Sequence, residues 1–395
     1  MQDDRDLQLS QYEYTLPGDR IAQNPAEPRD HSRLLVASSP TEHHHARFDG
    51  LPDWLQPGDL LVLNDTSVIP ARLYGHKTTG AAVEVLLLEA RSPQEWLALV
   101  RPGKRLPVGT VIQFTPNPTG SSTDPPIDND PLPSTDNPLT ATIIDTDSET
   151  GGRWLKFDLP RDVPLLSVLD QWGHMPLPPY ITDSDAAPDR YQTVYARAAG
   201  SAAAPTAGLH FTPQLFEKLT AAGIGHVTLT LHVGVGTFRP VETETITDHA
   251  MHHEWTEVPP SVVEKIQATR DRGGRVIAVG TTAVRALESA GQASLAEGKP
   301  LAPFCGKTNL FIYPGYQWQV VDGLITNFHL PRSSLMMLVS ALVGRERLLE
   351  LYQIALDADP KIPPEIGDRP YRFYSFGDAM LILPTANLAP PQPLP

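Results

Sequence analysis

Residues Tyr195 to Val241 decide the fold of this chain, and their sequence is YARAAGSAAAPTAGLHFTPQLFEKLTAAGIGHVTLTLHVGVGTFRPV. Thr212 and Pro213 are typical of a helix start, because a hydroxyl caps the first free N–H groups and proline fits the first helical position. The β-branched residues of 226–232 predict a strand, which runs directly into Gly234 and its neighbours. A strand that ends in glycines and hydroxyls is where α/β proteins bind ligands, although a tight turn that needs glycine only for its backbone is the alternative.

The composition is that of a soluble globular protein. The chain has 395 residues, of which 41% are hydrophobic and 19% charged, so it is long enough for two domains. The lone cysteine, Cys305, excludes an intramolecular disulfide and is typical of a reducing compartment. The N-terminal sequence is polar and acidic, and no apolar run is long enough to cross a bilayer. We therefore expect a cytoplasmic protein that does not associate with membranes.

The net charge limits the expected partners. A formal charge of -15 argues against a nucleic-acid partner. However, residues 115–150 contain seven acidic and no basic side chains, and without them the net charge is -8. A confined basic surface on the rest of the chain remains compatible with the composition, which does not itself show one.

Between residues 72 and 159 the pattern changes to short strands separated by turn signals. The candidate strands lie at 82–88, 95–100, 110–114, 139–144 and 153–157. We predict an α/β fold in which residues 1–71 and 160–395 form a larger, discontinuous α/β domain, and residues 72–159 an inserted, smaller antiparallel β-barrel domain. Residues 115–138 are rich in Pro, Asp, Ser and Thr, which predicts a disordered loop within the inserted domain.

Strand–turn–helix order resumes in the second half of the chain. Residues 275–279 predict a strand, and Gly280-Thr281-Thr282 predicts a turn and helix cap. The same order recurs from residue 324 to 331, where Ser333 or Ser334 is the predicted cap of the helix that follows. Ser261 and Glu264 predict a capping box at the start of an intervening helix. Several polar turns at the carboxyl ends of strands predict one ligand site.

The segment DHAMHHE, from Asp248 to Glu254, is the candidate for a metal site. If the segment is helical, His249 shares a face with His252 or His253, but the spacing is not that of the common zinc-protease helix. A metal site, a solvated role and non-metal acid–base or ligand contact are the alternatives.

Three other features also have two interpretations. The turn from Gly280 to Arg285 resembles a phosphate-binding loop but lacks its lysine. The basic residues of 101–105 form either a nucleic-acid contact or a solvated turn. Arg372 and Asp378 either reach the site or form an internal ion pair. The residues alone thus indicate an α/β enzyme with an inserted β-domain and a cleft rich in His, Thr and Arg.

Six segments, in order, resemble the S-adenosylmethionine:tRNA ribosyltransferase-isomerase family of queuosine biosynthesis. They are YARAAGSAAAPTAGLHFT, TLHVGVGTFRPV, DHAMHHE, AVGTTAVRALES, LITNFHLPRSSLMMLVSAL and YRFYSFGDAMLI. IAQNPAEPRDHSRLLV and GDLLVLNDTSVIPARLYG extend the similarity to the N-terminal half, so it covers nearly the whole chain. The chain departs from the family at residues 115–138 and 357–370, which have the composition of loop insertions.

The resemblance implies a cytoplasmic enzyme that uses S-adenosylmethionine as a ribosyl donor. The implied acceptor is 7-aminomethyl-7-deazaguanine at the wobble position of tRNA, and the implied products are epoxyqueuosine, adenine and methionine. The reaction requires no metal and no other cofactor, and we expect the enzyme to act as a monomer.

The implied chemistry needs a base for the proton beside the sulfonium or on the amine, and an acid for the departing adenine. The candidate proton-transfer residues are His210, His232, His252, Glu254 and His329. Aromatic faces suit a sulfonium cation, and a helix start beside an arginine suits a carboxylate. The candidate substrate-binding residues are Thr237, Phe238, Thr281, Thr282, Arg285, Asn327 and Phe328. The candidate tRNA-binding residues are Arg33, Arg72, Lys104 and Arg332.

Two hypotheses of other classes compete with this one. A metal-dependent hydrolase would use the histidines of residues 249–254. A non-catalytic RNA-binding module would use the inserted β-domain, but it leaves the histidine-rich turns without a role.

Overall fold

The structure is a computed structural model that describes residues 3–118, 138–148, 150–234, 241–357, 366 and 370–392. The chain divides into two compact units. The α/β unit comprises Met1–Thr66, Pro179–Ala198 and Ala204–Pro395, and the barrel unit comprises Ser67–Pro178 and Ala199–Ala203.

The strands of the described residues are β1 Arg33–Ala37, β2 His43–Arg47, β3 Leu60–Asn64, β4 Thr66–Val68, β5 Arg72–Lys77, β6 Ala82–Ala90, β7 Glu95–Arg101, β8 Val111–Phe114, β9 Thr140–Thr146, β10 Arg153–Phe157, β11 Gly173–His174, β12 Ala198–Ser201, β13 Gly225–Leu231, β14 Glu254–Val258, β15 Val276–Val279, β16 Phe304–Thr308, β17 Gly323–Asn327 and β18 Ala379–Ile382. The α-helices are α1 Leu169–Trp172, α2 Pro213–Ala221, α3 Pro260–Asp271, α4 Thr281–Ala296, α5 Ser334–Val343 and α6 Arg345–Leu356. None of these helices is long and apolar enough to cross a membrane.

A mixed sheet forms the centre of the α/β unit. Within the described ranges its strand order is β16-β14-β13-β3-β15-β17-β18-β1-β2. The four strands β13, β3, β15 and β17 run parallel to one another. All residues of β3, β15 and β17 are buried, as expected for parallel strands that are covered on both faces. The carboxyl ends of these four strands therefore meet at one edge of the sheet.

Two helices begin where the sequence predicts, and in both the N-cap is the hydroxyl side chain of the residue just before the helix. Thr212 caps α2 by accepting the N–H of Leu215 at 3.1 Å, and Ser333 caps α5, which confirms both predicted caps. The predicted capping box at Ser261 is wrong, because α3 begins at Pro260 and its N-cap is Pro259. The predicted turn and cap at Gly280-Thr281-Thr282 forms, with Gly280 as the N-cap of α4 and both threonines as the first residues of the helix.

The barrel unit contains a closed antiparallel barrel. Within the described residues, six strands follow the order β5-β6-β7-β10-β9-β8, and β8 pairs again with β5 to close the barrel. Five of these strands lie where the sequence predicts them, and the predicted α/β fold with an inserted β-barrel is confirmed. The closing strand β5 was not predicted.

The barrel unit is larger than the predicted inserted domain of residues 72–159. Residues 160–178 belong to it, because β11 pairs with β5 and residues Leu165, Val168, Leu169 and Trp172 join the barrel's apolar core. Asn117 lies in the stretch predicted to be disordered. Its backbone N–H donates to the Gln171 carbonyl at 2.8 Å, and its side chain donates to the Gly173 carbonyl at 2.7 Å. Residues 119–137 of that stretch lie outside the described residues.

Barrel closure depends on the absence of a side chain at Gly75. This residue pairs with Phe114 where β5 meets β8, and a Cβ there would collide with the Gln113 carbonyl and lie 3.0 Å from the Phe114 Cα. We expect Gly75→Ala to lower the free energy of unfolding by about 1–3 kcal/mol, since backbone atoms must shift. Gly103→Ala is the matched control, because a Cβ there meets no atom within 4 Å. Chemical denaturation of the two variants measures the difference, and equal stabilities would contradict it.

Candidate active site

A cavity lies within the α/β unit, at the carboxyl ends of β15 and β17. Its lining combines apolar side chains with a few polar groups, which is typical of a small-molecule site. The residues that line it are Tyr180, Ala204, Pro205, Thr206, Ala207, Val233, Gly280, Thr281, Thr282, Thr326, Asn327, Phe328, His329, Leu330, Pro331, Ser333, Leu335, Tyr374 and Ser375. The predicted substrate-binding residues Thr281, Thr282, Asn327 and Phe328 and the predicted catalytic residue His329 are thus brought together. Thr237 and Phe238 lie outside the described residues.

The start of α4 forms one wall of the cavity. Gly280 turns the chain there with a positive φ of 86°, and no side chain among the described residues caps the first helical N–H groups. Free N–H groups and the helix dipole favour an anion at this position. Thr281 and Thr282, the first two residues of the helix, both line the cavity.

Asn64, at the end of β3, orients the hydroxyl of Thr282. Its Oδ1 accepts the N–H groups of Leu231 and Thr66, and its Nδ2 donates to the Leu231 carbonyl at 2.9 Å. The second Nδ2 proton is donated to Thr282 Oγ1 at 3.1 Å. Because Thr282 accepts this bond, its own hydroxyl proton is available for a ligand acceptor. Asn64 is not among the residues predicted from the sequence, since its partners Leu231 and Thr282 are distant in the chain.

His329 is held at the cavity by its backbone. Its N–H donates to the Tyr352 hydroxyl at 2.8 Å, and its carbonyl accepts the Tyr14 hydroxyl. Its ring Nε2 lies 2.8 Å from Thr326 Oγ1. Burial lowers the pKa of His329 to about 3, so the imidazole is neutral at physiological pH. It is the one member of the predicted catalytic set among the described residues that line the cavity.

The aromatic surface of the cavity differs from the predicted one. The ring of Phe328 packs against Phe373, with centroids 4.8 Å apart, and against Tyr352 and Tyr371. Phe328 is 1% exposed, so most of its ring belongs to the core. Tyr180 and Tyr374 also line the cavity, and their ring centroids are 4.2 Å apart. Tyr374 lies in the YRFYSFGD segment, but its position in the cavity depends on a left-handed backbone, with φ of 72°, that sequence analysis did not predict.

His210 is fully buried and does not line the cavity. Its Nδ1 lies 2.6 Å from Ser32 Oγ, and its Nε2 lies 3.2 Å from Arg29 Nη2 and 3.3 Å from Asn327 Nδ2. Burial, and then the charge of Arg29, hold the pKa of His210 well below its usual value. His210 is therefore a neutral residue behind the cavity wall, where it contacts Asn327.

Glu254 and Arg285, predicted to act on substrate, form a buried ion pair with each other. Both residues are at most 5% exposed. Glu254 also accepts the N–H of Gly234 at 2.9 Å, and Arg285 Nε donates to the Leu310 carbonyl at 3.1 Å. Neither residue lines the cavity. Their contacts are those of a pair that joins β14 to α4.

The other two predicted histidines also lie away from the cavity lining. His232 stacks on Trp255, with centroids 5.1 Å apart, and its Nδ1 lies 2.8 Å from Thr66 Oγ1. His252 belongs to a non-helical segment that leads into β14, so the helical metal arrangement considered for residues 248–254 does not form. Within the described ranges, no three His, Cys, Asp or Glu side chains come together in a way that could hold a metal ion.

The arginines predicted to bind tRNA differ in their exposure and in the ion pairs that they form within the chain. Arg33 is nearly buried, pairs with Asp378 at 3.6 Å and lies over the ring of Tyr371. Asp378 also pairs with Arg372 at 3.6 Å, which confirms the internal ion pair as the interpretation of these two residues. Arg332, between two cavity residues, is about half exposed, and its Nε lies 3.7 Å from Glu13.

In the barrel unit, Arg72 Nε lies 3.6 Å from Glu84, and Arg72 Nη2 donates to the Leu177 carbonyl at 3.3 Å. The side chain of Lys104 lies outside the described part of the structure.

Comparison with known proteins identifies the class. A protein of Nostoc sp. named S-adenosylmethionine:tRNA ribosyltransferase-isomerase is 58% identical over 389 residues, which are 97% of this chain and 93% of that protein. A protein of the same name from Thermosynechococcus vestitus is 55% identical over 96% of this chain and 97% of its own. The crystal structure of an S-adenosylmethionine tRNA ribosyltransferase from Thermotoga maritima is 36% identical, with a TM-score of 0.49, and covers 94% of this chain and 100% of that one.

The α/β unit with its cavity and the names of these relatives define an enzyme that is both a transferase and an isomerase. The chain belongs to the queuosine biosynthesis protein family, which it matches over residues 9–382. The predicted family resemblance is confirmed.

The Glu254–Arg285 pair predicts a specific pattern of stability changes. Arg285→Leu should lower the free energy of unfolding by about 3–5 kcal/mol, because it leaves the Glu254 carboxylate buried without its cation. Glu254→Gln should act in the same direction, and the double variant should be less destabilised than the sum of the single ones. Denaturant titration of the four proteins measures the coupling. Additive effects would contradict a direct pair.

The neutral histidines predict that stability depends on pH. The pKa values of His210 and His329 lie below the usual value of about 6.5 for an unfolded chain. The contribution of His329 is present above pH 6.5 and is lost as the pH falls toward about 3, and that of His210 is lost in the same direction. As the pH falls below 6.5, His329 should add up to about 1.4 kcal/mol per pH unit to the slope. His329→Gln should remove the contribution of His329 to the slope of the free energy of unfolding against pH. Chemical denaturation at several pH values measures this slope. An unchanged slope would contradict a neutral His329.

Proposed function

We propose that this chain transfers and isomerises the ribosyl moiety of S-adenosylmethionine onto 7-aminomethyl-7-deazaguanine at the tRNA wobble position. The products are epoxyqueuosine, adenine and methionine. The names of the relatives support the donor and the tRNA acceptor. The observation that carries the proposal is that one cavity combines an uncapped helix start, a neutral histidine and an aromatic pair.

The methionine carboxylate would bind at the start of α4. The free N–H groups there favour an anion, and Thr282 has a hydroxyl proton to donate because Asn64 occupies its acceptor side. Arg285, which the sequence also assigned to the carboxylate, is paired with Glu254 instead. Backbone donors and one hydroxyl would therefore replace the expected arginine.

The sulfonium would bind against Tyr180 and Tyr374. An aromatic face attracts a cation through its quadrupole, and the effect strengthens when the site is shielded from water. These two rings line the cavity, as does Phe328, but most of the Phe328 ring packs in the core. Phe238, the other predicted aromatic contact, lies outside the described residues.

His329 would transfer the proton beside the sulfonium. A neutral imidazole can accept a proton, and the Thr326 hydroxyl holds one side of this ring in place. The low pKa makes His329 a weak base but, once protonated, a strong acid, which suits subsequent proton donation to the departing adenine. His210 is unsuited to this role because both of its ring nitrogens already have partners.

Binding of tRNA would use a confined basic surface. Arg332 is our candidate near the cavity, because it follows the cavity residue Pro331 and is about half exposed. Arg72 and Lys104 remain candidates on the barrel unit. We further propose that the enzyme is a cytoplasmic monomer that needs no metal or other cofactor.

The decisive experiment is incubation of the protein with S-adenosylmethionine and tRNA that carries 7-aminomethyl-7-deazaguanine. Nucleoside mass analysis should detect epoxyqueuosine together with released adenine and methionine. Metal analysis of the same preparation addresses the competing hydrolase. Stoichiometric zinc, and hydrolysis without ribosyl transfer, would overturn the proposal.

Substitution of Thr282 tests the carboxylate contact. Thr282→Val should weaken binding of S-adenosylmethionine by about tenfold or more, because a hydrogen bond to a charged group is lost. Thr282→Ser retains the hydroxyl and is the matched control. Calorimetric titration of each variant measures the change. Equal affinity of the valine variant and the wild type would remove Thr282 from the site.

A further inference from the structure

Arg29 determines which nitrogen of His210 carries the proton. The Arg29 side chain is 6% exposed, donates to the Gly377 carbonyl at 3.0 Å and lies 3.2 Å from His210 Nε2. A guanidinium has only donors, so Nε2 must be the acceptor. The proton of the neutral ring then lies on Nδ1, which donates to Ser32 Oγ at 2.6 Å.

His210 in turn determines the orientation of the Asn327 amide. Because His210 Nε2 is an acceptor, the amide atom that faces it at 3.3 Å must be the NH₂ group. The same Nδ2 also donates to the Tyr374 carbonyl at 2.8 Å, which requires the same orientation independently. Both protons of the amide are therefore donated within the chain.

The carbonyl oxygen of this amide has no partner. Asn327 is 2% exposed and lines the cavity, and within the described part of the chain its Oδ1 accepts no hydrogen bond. A buried acceptor without a donor is costly, unless a ligand supplies the donor. The cavity wall thus offers a directed acceptor at the end of the Arg29–His210–Asn327 relay.

The charge around the relay selects a neutral donor. The buried guanidinium of Arg29 lies directly behind His210, 3.2 Å from its Nε2. A cation disfavours an ammonium group, such as the amino group of methionine, and does not oppose a neutral donor. The neutral donors of S-adenosylmethionine are its ribose hydroxyls and the exocyclic amino group of adenine, and analogues altered only at the amino group separate the two.

We propose that Asn327 Oδ1 accepts a hydrogen bond from the 6-amino group of the adenine ring and thereby makes the enzyme selective for adenine over hypoxanthine. This inference rests on the proposed function. Asn327 is a specificity-determining residue, and Arg29 and His210 are positioning residues that keep its amide from rotating. A 6-oxo ring would place two acceptors against each other.

The first test changes only the ligand and uses the unaltered protein. Calorimetric titration compares S-adenosylmethionine with two analogues, one in which hydrogen replaces the 6-amino group and one that carries the 6-oxo group of hypoxanthine. Both analogues should bind about tenfold more weakly or worse. Equal binding of all three ligands would overturn the inference and leave the proposed function intact. Failure to bind S-adenosylmethionine at all would overturn the proposed function.

The second test changes the protein. Asn327→Leu keeps the approximate size of the side chain and removes the acceptor, so the affinity ratio between the 6-amino and 6-oxo ligands should fall to about one. Thr282→Val is the matched control, since it should weaken both ligands equally and preserve the ratio. If Asn327→Leu keeps the wild-type affinity ratio between the 6-amino and 6-oxo ligands, another residue binds the amino group and the inference is wrong. If this variant does not fold, the ligand comparison alone decides.

Discussion

A buried guanidinium needs acceptors for its N–H groups, and Arg29 finds three of them in two separate parts of the chain. Its partners are the carbonyls of Ser375 and Gly377 and the ring of His210. The charge persists because burial lowers the pKa of Arg29 only to about 9. This one side chain therefore ties the turn that carries Tyr374 to the segment that precedes α2, and the cavity wall depends on both.

The features that could be predicted from the sequence are mainly those that depend on residues close together in the chain. The caps at Thr212 and Ser333 and five of the barrel strands depend on neighbouring residues, and they form where the sequence indicates. The capping box at Ser261 failed because Pro260 already occupies the first helical position. Tyr180 could not have been selected, since its contact with the cavity depends on residues more than a hundred positions away.

Charged residues were the least predictable part of the site. Arginines are predicted at the site because they suit carboxylates and phosphates, but the partners that pair with them in the fold are distant in the sequence. Arg285 pairs with Glu254, and Arg33 with Asp378, in both cases with the charge almost removed from solvent. Conversely, Thr281 and Thr282 reach the cavity as predicted, because the start of a helix after a parallel strand lies at the carboxyl edge of the sheet.

Tyr374 adopts a left-handed backbone that glycine would adopt without steric cost, and its φ of 72° costs about 1–2 kcal/mol for a residue with a side chain. The conformation is retained because its carbonyl accepts the Asn327 amide and the Gly377 N–H, and its ring lines the cavity. Stability and ligand recognition therefore oppose each other at this position. An engineering effort that ranks substitutions by thermostability would favour glycine here and would remove one ring of the aromatic pair.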